Sequence, residues 1–461
     1  MDDSDRSTLG VTARIADIDA SAWDACANPD PARYDPFVSH AFLKALEDAG
    51  TTGERAGWIP QHLTLRDADG TIQGVMPLYL KTHSQGEFVF DHSWADAYRR
   101  AGGRYYPKLQ CAVPFSPVPG RRILVRPGPE AIERERLMTH GAVEVARQMG
   151  VSSLHLTFLD EGAWRRLGAM GLLQRTGQQF HWTNSGYRTF DDFLATLASR
   201  KRKSIRKERE TALGAGLVIE RRTGAEITEA DWDCFYQFYT DTGDRKWGRP
   251  YLNRRFFSLL SQSMADHCLL FLVKRGDGAS QGQAIAGALN LIGGDCLYGR
   301  YWGSVEAHPC LHFEVCYYQA IQFAIERGLK RVEAGAQGEH KLARGYQPVT
   351  THSAHFISHP GLRRAVSDYL EHERREIEGV VNIPLGEHFS TRFSVNYGKK
   401  PKGFYHLYVI DQYADATERE FFRGQVNYQN GAFTANLMVE RANERVPGLV
   451  YQVVTFRNAN F

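Results

Sequence analysis

The stretch from Leu289 to Tyr346 constrains this chain more than any other: LNLIGGDCLYGRYWGSVEAHPCLHFEVCYYQAIQFAIERGLKRVEAGAQGEHKLARGY. Two β-rich runs, Ala286 to Ile292 and Cys296 to Trp302, flank Gly293-Gly294-Asp295, a hairpin signal. Pro309 stands where a helix can start without losing a needed N–H. Phe313, Tyr317, Ala320, Ile321 and Ala324 then repeat at helical spacing, and Gly328 marks the stop. Residues 331–336 read as a short strand. A polar run follows between Gly338 and Gly345. The order predicts an antiparallel sheet with helices on its faces, an α/β arrangement.

The 461 residues suit two or three domains. The N-terminus, MDDSDRSTLG, is acidic and polar, which excludes a signal peptide at that point, and no run has the apolar length that spans a bilayer. Seven cysteines are scattered without a Cys-x-x-Cys pair, so neither a disulfide framework nor a metal centre is expected, and a cytoplasmic location is. A net charge of +3 is too small to argue for nucleic-acid binding by itself.

The order of elements repeats. A hairpin at 61–81, a helix at 130–149 and strands at 152–158 and 178–182 match a hairpin at 268–292, a helix at 309–327 and strands at 331–336 and 351–357. The expected division is 11–187, 188–382 and a tail at 383–461. In the tail, GFYHLYVIDQY and LVYQVVTF read as strands, ATEREFFRGQVNYQ and LMVERANERV as helices. Phe88 to Arg122 has no period but is rich in aromatics, Pro and Arg, the texture of a functional loop. Residues 190–213 read as a linking helix with a dense basic run from Arg200 to Arg209. That run is either a polyanion-binding face, for an anionic membrane surface or tRNA, or a solvated face docked through Phe193, Leu197 and Ile205.

These segments carry a resemblance. LASRKRKSIRKERETALGAGLVIE, FYQFYTDTGDRKWGRPYL, LYGRYWG, LHFEVCYYQAIQFAIERGL and EAGAQGEHKLARGYQPV resemble the FemAB-like group of predicted N-acyltransferases, relatives of the peptidoglycan aminoacyltransferases. YYPKLQCAVPFSPVPG and FHWTNSGYRTFDDFLATL fit the same group. The resemblance covers about Ile15 to Glu378 and leaves out the tail. It implies tandem GNAT-like folds, with mixed, mostly antiparallel sheets flanked by helices. It also implies a cleft site and acyl or aminoacyl transfer to an amine of a lipid, a cell-wall precursor or a small molecule. The opposing reading is a non-catalytic GNAT-like module that binds a phosphate-bearing ligand.

One departure bears on the donor. GNATs that use acetyl-CoA hold its pyrophosphate on a Gly-rich loop at a helix N-terminus. Here that place reads SVEAHPCLHFE, and no glycine lies between Gly303 and Gly328. A bulky co-substrate, a long acyl-CoA or an aminoacyl-tRNA, is therefore expected, with no bound cofactor. If residues 339–344 make one helical turn, His340, Lys341 and Arg344 share a face beyond a strand end and suit donor phosphate, with Arg300 nearby; otherwise they form a solvated turn.

Acyl transfer also needs a base for the amine and a proton for the leaving group. Glu333, His312 and Glu314 are the base candidates, and Tyr301 is the candidate proton donor. Glu333 lies in a strand, where a carboxylate is catalytic or paired, with Arg300 the available partner. Strand alternation puts Tyr298, Arg300 and Trp302 on one face and Gly299 and Tyr301 on the other. His92, Trp94, Tyr106, Lys108 and Gln110, polar groups among aromatics, are the candidates for the acceptor pocket.

Overall fold

Exchange of one strand between the halves joins both into a single eleven-stranded sheet. The spatial order is Leu217–Thr223, Cys268–Arg275, Ala284–Ile292, Cys296–Ser304, Arg331–Glu333, Leu173–Thr183, Gln347–Ile357, Ser153–Leu159, Lys108–Cys111, Leu78–Lys81 and Trp58–Pro60. Leu173–Thr183 ends the first half yet pairs with the second half's Arg331–Glu333, His181 opposite Glu333. Gln347–Ile357 ends the second half yet pairs with Ser153–Leu159, His355 opposite His155. The two exchanged strands pair with each other from Gln347↔His181 to His355↔Leu173.

This computed structural model describes residues 7–214, 216–246, 250–278, 280–335, 339–373, 377–384, 389–400, 405–407, 412–414, 417–430 and 433–445. Two compact units divide the chain, Met1–Ser358 and His359–Phe461, whereas composition placed the tail at 383.

Each half holds one parallel strand pair, Lys108–Cys111 with Ser153–Leu159 and Cys296–Ser304 with Arg331–Glu333. A parallel pair needs a crossover, and a helix supplies it in both halves. In the first half it is Ala131–Gln148, whose Met138, Ala142 and Ala146 join Leu109, Leu154 and Leu156 in one core. In the second it is the run Leu311–Phe313, Glu314–Tyr318 and Gln319–Glu326, whose Val315, Ile321 and Ala324 join Leu297 and Val332. The middle piece has π geometry. The pairing registers put both crossover helices on the same sheet face. The architecture is mixed α/β, with mostly antiparallel strands flanked by helices.

The run 71–81 does not form one strand. It breaks at Pro77, which has no N–H to give a ladder. Ile72–Met76 pairs with His62–Arg66 in a separate four-stranded sheet, and Leu78–Lys81 joins the main one. The irregular stretch contains the helix His92–Arg100 and the strand Lys108–Cys111. The basic helix divides into Phe190–Ala195, closed by a Thr189/Asp192 capping box, and Ser199–Leu213.

In the second unit, the two tail segments expected to be helical are strands. Thr417–Asn430 and Phe433–Arg445 pair antiparallel and complete a four-stranded sheet with Ile377–Pro384 and Phe389–Lys400. Their Glu and Arg content imitates a helix, but Phe421, Phe422, Val426 and Tyr428 are β formers, and cross-strand pairing decides. Tyr405–Leu407 and Gln412–Ala414 make a short ribbon. The expected strand LVYQVVTF lies outside the described residues.

The helix Ser199–Leu213 is clamped to the second crossover helix by Arg209, whose Nε and Nη2 donate to the fully buried Glu314 carboxylate at 3.0 and 3.1 Å. Removing one partner leaves a buried charge, so Arg209→Met and Glu314→Met should each cost about 3 kcal/mol in urea unfolding. The double variant should cost far less than their sum. Additive losses would show that the pair is not coupled.

Candidate active site

Strands deep in a sheet covered on both faces are expected to be apolar on both. Here the face opposite the crossover helices is polar. The registers line up Tyr298, Glu333, His181 and Gln179 in the second half with His355, His155, Gln110, Lys108 and Lys81 in the first. All are buried.

Glu333 sits where the second parallel pair ends. Pairing stops at Tyr298↔Glu333, while the partner strand runs on to Ser304. Across the next ladder His181 Nδ1 lies 3.9 Å from Glu333 Oε1. Arg331 Nε donates to the same oxygen at 3.2 Å, and Oε2 has no hydrogen-bond partner among the described residues. Burial raises the Glu333 carboxyl to about 7; Arg331 opposes the shift and the Asp35 carboxylate adds to it. Burial, with Arg331 and Lys341, lowers His181 to about 4, so it stays neutral beside Glu333.

The partner expected for Glu333, Arg300, is engaged elsewhere. Its Nη2 donates to Phe115 O at 2.9 Å, its guanidinium lies 5.6 Å from the Phe37 ring centre, and its Nε has no partner among the described residues. Tyr301 reaches the same carbonyl at 3.4 Å. The expected alternation fails because the register skips Arg300: Leu289 faces Tyr301 and Asn290 faces Gly299. That bulge brings Tyr298 and Tyr301 to one core and sends Trp302 to the other.

The remaining second-half candidates gather on the crossover-helix side. The ring centre of His312 lies 5.5 Å from Trp302 and 5.4 Å from Tyr317. Glu314 is held by Arg209 and by Gln319 at 2.7 Å, which makes it structural rather than a free base. Residues 339–344 form a six-residue 3-10 helix, two turns rather than one. His340 is exposed and accepts or donates with Tyr317 OH at 2.9 Å. Arg344 grips Glu208 with Nε and Nη2 at 3.2 and 2.9 Å, donates to His340 O, and covers the Phe313 ring. Its fork is therefore already filled. Lys341 is buried, donates to Gly335 O at 2.9 Å, and is lowered to about 8 by burial.

The first-half candidates surround a different centre. Lys108 and Gln110 lie four strands from Glu333, about 19 Å at ordinary strand spacing, so the two groups line separate places. Gln110 donates to Thr157 at 3.0 Å, Tyr106 meets Ser84 at 2.7 Å, and Lys108 is enclosed by Ser84, Glu87 and Asp91. Trp94 is buried against His355, with ring centres 5.1 Å apart, and His92 is exposed and stacks on Phe90. The sequence reading missed Asp35, His181, Arg331, Glu87, Asp91, His155 and His355. The signal for the histidines was there: SLHLTF and SAHF place polar residues at alternate positions of otherwise apolar strands.

Among the described residues no group of His, Cys, Asp or Glu is arranged to hold a metal ion, and no helix is long and apolar enough to cross a membrane. Among the described residues no two cysteines form a disulfide. The Glu333 carboxyl favours the folded state while protonated, and that advantage is lost as pH rises from 4.5, its ordinary value, through about 7. Glu333→Gln does not ionise. From pH 4 to pH 8 the variant should therefore gain on the natural protein by about 3 kcal/mol in urea unfolding. A difference that does not change with pH would contradict the raised pKa.

A family model described as peptidoglycan biosynthesis/recognition, FemAB-like, matches residues 14–385. No curated protein sequence matches the chain. Among solved structures it is similar to FemX, at 14% identity and a TM-score of 0.49 over 76% of this chain and 98% of that one. It is also similar to L-PGS from Bacillus licheniformis, at 11% identity and 0.44 over 73% and 98%. A tandem GNAT protein from the clavulanic acid biosynthesis pathway aligns at 12% identity and 0.42 over 77% and 99%. With most of its length matched by that family model, the chain belongs to the FemAB-like family.

Proposed function

We propose that the protein transfers an acyl or aminoacyl group from a bulky activated donor to an amine, with Glu333 as the base. One observation carries this reading. A buried carboxylate at the end of a parallel strand pair, poised near neutrality, has one oxygen without a hydrogen-bond partner among the described residues. A base of that pKa is matched to deprotonating an amine as it attacks. The amine nitrogen forms a bond to the donor carbonyl carbon, the thioester or ester bond breaks, and Glu333 takes the proton lost by nitrogen. That proton is available to the leaving thiolate or alkoxide. The unpartnered Arg300 Nε supplies a donor for developing oxyanion charge.

Donor phosphate is less suited to Arg344, which is occupied by Glu208, than to the outer face of the helix Ser199–Leu213. There Lys201, Arg202, Arg206 and Arg209 are engaged with Leu342 O, Leu197 O, Asp191 and Glu314. Arg200, Lys203 and Lys207 are exposed and lie at helical spacing on one side. The donor is a long acyl-CoA or an aminoacyl-tRNA, favoured by the absence of the glycine loop. The non-catalytic alternative keeps the same basic face and gives Glu333 no role.

Glu333→Gln should lower kcat/KM at least a hundredfold, and the rise of activity with pH, with its midpoint near 7 in the natural protein, should vanish. Unaltered turnover or an unaltered profile would remove Glu333 from the chemistry. Calorimetric titration with acetyl-CoA, a long-chain acyl-CoA and charged tRNA should show binding of one bulky donor and weak binding of acetyl-CoA. Lys203→Glu with Lys207→Glu should weaken that binding and flatten its salt dependence. Donor binding without any turnover in the natural protein would favour the non-catalytic alternative.

A further inference from the structure

Gln179 and His181 stand two residues apart on Leu173–Thr183, so both side chains face the same side of the sheet. Both are buried, and the proposed transfer chemistry assigns a role to neither. Gln179 Nε2 donates to Pro117 O at 2.8 Å, and Gln179 Oε1 lies 3.2 Å from His181 Nε2. On the other side of the imidazole, Nδ1 lies 3.9 Å from Glu333 Oε1. Two side chains thus link a first-half loop to the second-half carboxylate.

The far end of this chain is held in place. Phe115 N donates to Gly86 O at 3.2 Å and Gly120 N to Phe158 O at 2.9 Å. Phe115 O accepts from Arg300 and Tyr301, and Val118 O accepts from Arg122. Pro117 lies between these anchors. Its carbonyl oxygen can only accept, so the NH2 end of the Gln179 amide must face it. The amide oxygen then faces His181. That oxygen requires a hydrogen on Nε2, because a bare Nε2 would set two buried acceptors against each other. Burial, with Arg331 and Lys341, disfavours the imidazolium. A neutral ring carries one N–H, so Nδ1 is left with its lone pair.

The consequence falls on Glu333. The groups that act on its carboxyl are Arg331 from its own strand, Cys296 and Tyr298 from the parallel neighbour, His181 from the antiparallel neighbour and Asp35 from the N-terminal arm. Arg331 gives the carboxylate a hydrogen bond, and Asp35 disfavours its charge. A histidine with hydrogen on Nδ1 would offer a second donor and make the carboxylate a weaker base. We infer that Gln179, anchored on Pro117 O, holds His181 in the tautomer with hydrogen on Nε2, so that the bare Nδ1 withholds a hydrogen bond from Glu333 and keeps it basic enough to take a proton from an amine. His181 and Gln179 act through Glu333 and are positioning residues. The inference rests on Glu333 as the base of the reaction and explains how that base is kept strong.

The test uses the full-length protein labelled with nitrogen-15 at histidine. Two-bond nitrogen–proton correlations at pH 7, with the His181 signals assigned by their loss in His181→Gln, should show hydrogen on Nε2 and a bare Nδ1. Hydrogen on Nδ1, or on both nitrogens, would overturn the proposal. Gln179→Leu removes the lock. The Nδ1–H tautomer should then appear, and the Glu333 midpoint, read by infrared difference against Gln179→Leu/Glu333→Gln, should fall from about 7 by about one pH unit, a tenfold loss of basicity. An unchanged midpoint in folded Gln179→Leu would also overturn it. Gln179→Glu keeps an acceptor for Nε2 and should keep the natural tautomer. The tautomer of the natural protein decides even if Gln179→Leu does not fold. Neither readout depends on turnover. Full activity in Glu333→Gln would remove the base and leave the lock standing, whereas an Nδ1–H tautomer in an enzyme that Glu333→Gln inactivates would remove the lock alone.

Discussion

The exchange of Leu173–Thr183 and Gln347–Ile357 between the halves is the constraint on which the rest depends. Without it each half would be a separate sheet with its own edges. With it the registers run unbroken, the crossover helices share one face, and the buried polar side chains of both halves share the other. The same exchange carries His181 to Glu333 and His355 to His155. Each polar centre therefore depends on a residue delivered by the neighbouring half.

The two centres solve the problem of burying charge in opposite ways. Lys108 is surrounded by carboxylates and, against its burial, keeps its proton more firmly than a free lysine. Glu333 has one arginine contact through a single oxygen, and burial dominates. The first arrangement fixes charges in place. The second leaves a proton free to move near neutral pH, which is what transfer to an amine asks of a base. Bringing Asp35 from the N-terminal arm near Glu333 strengthens that effect, since a second carboxylate disfavours ionisation.

Much of the fold was legible in local pattern. The hairpin at 284–304, both crossover helices and the repeated order follow from apolar spacing and glycine placement. Strand partners were not legible, because a sequence states which residues can face a neighbour but not which neighbour arrives. Hence sequence offers Arg300 as one available partner for Glu333, while a one-residue bulge sends it to Phe115 O. Arg344 was assigned to phosphate because the Glu208 that fills its fork lies far away in sequence. In the tail, dense Glu and Arg outweighed the aromatic and β-branched positions that pair across strands.

The central claim is that Glu333, at the end of the second-half parallel strand pair, keeps its proton well above the usual carboxylate range and gives it up near pH 7. Infrared difference spectroscopy of the natural protein against Glu333→Gln tests it most directly. A protonated carboxyl band should be present at pH 6 and disappear with a midpoint near 7. A Glu333 already ionised throughout the range above pH 5 would contradict it.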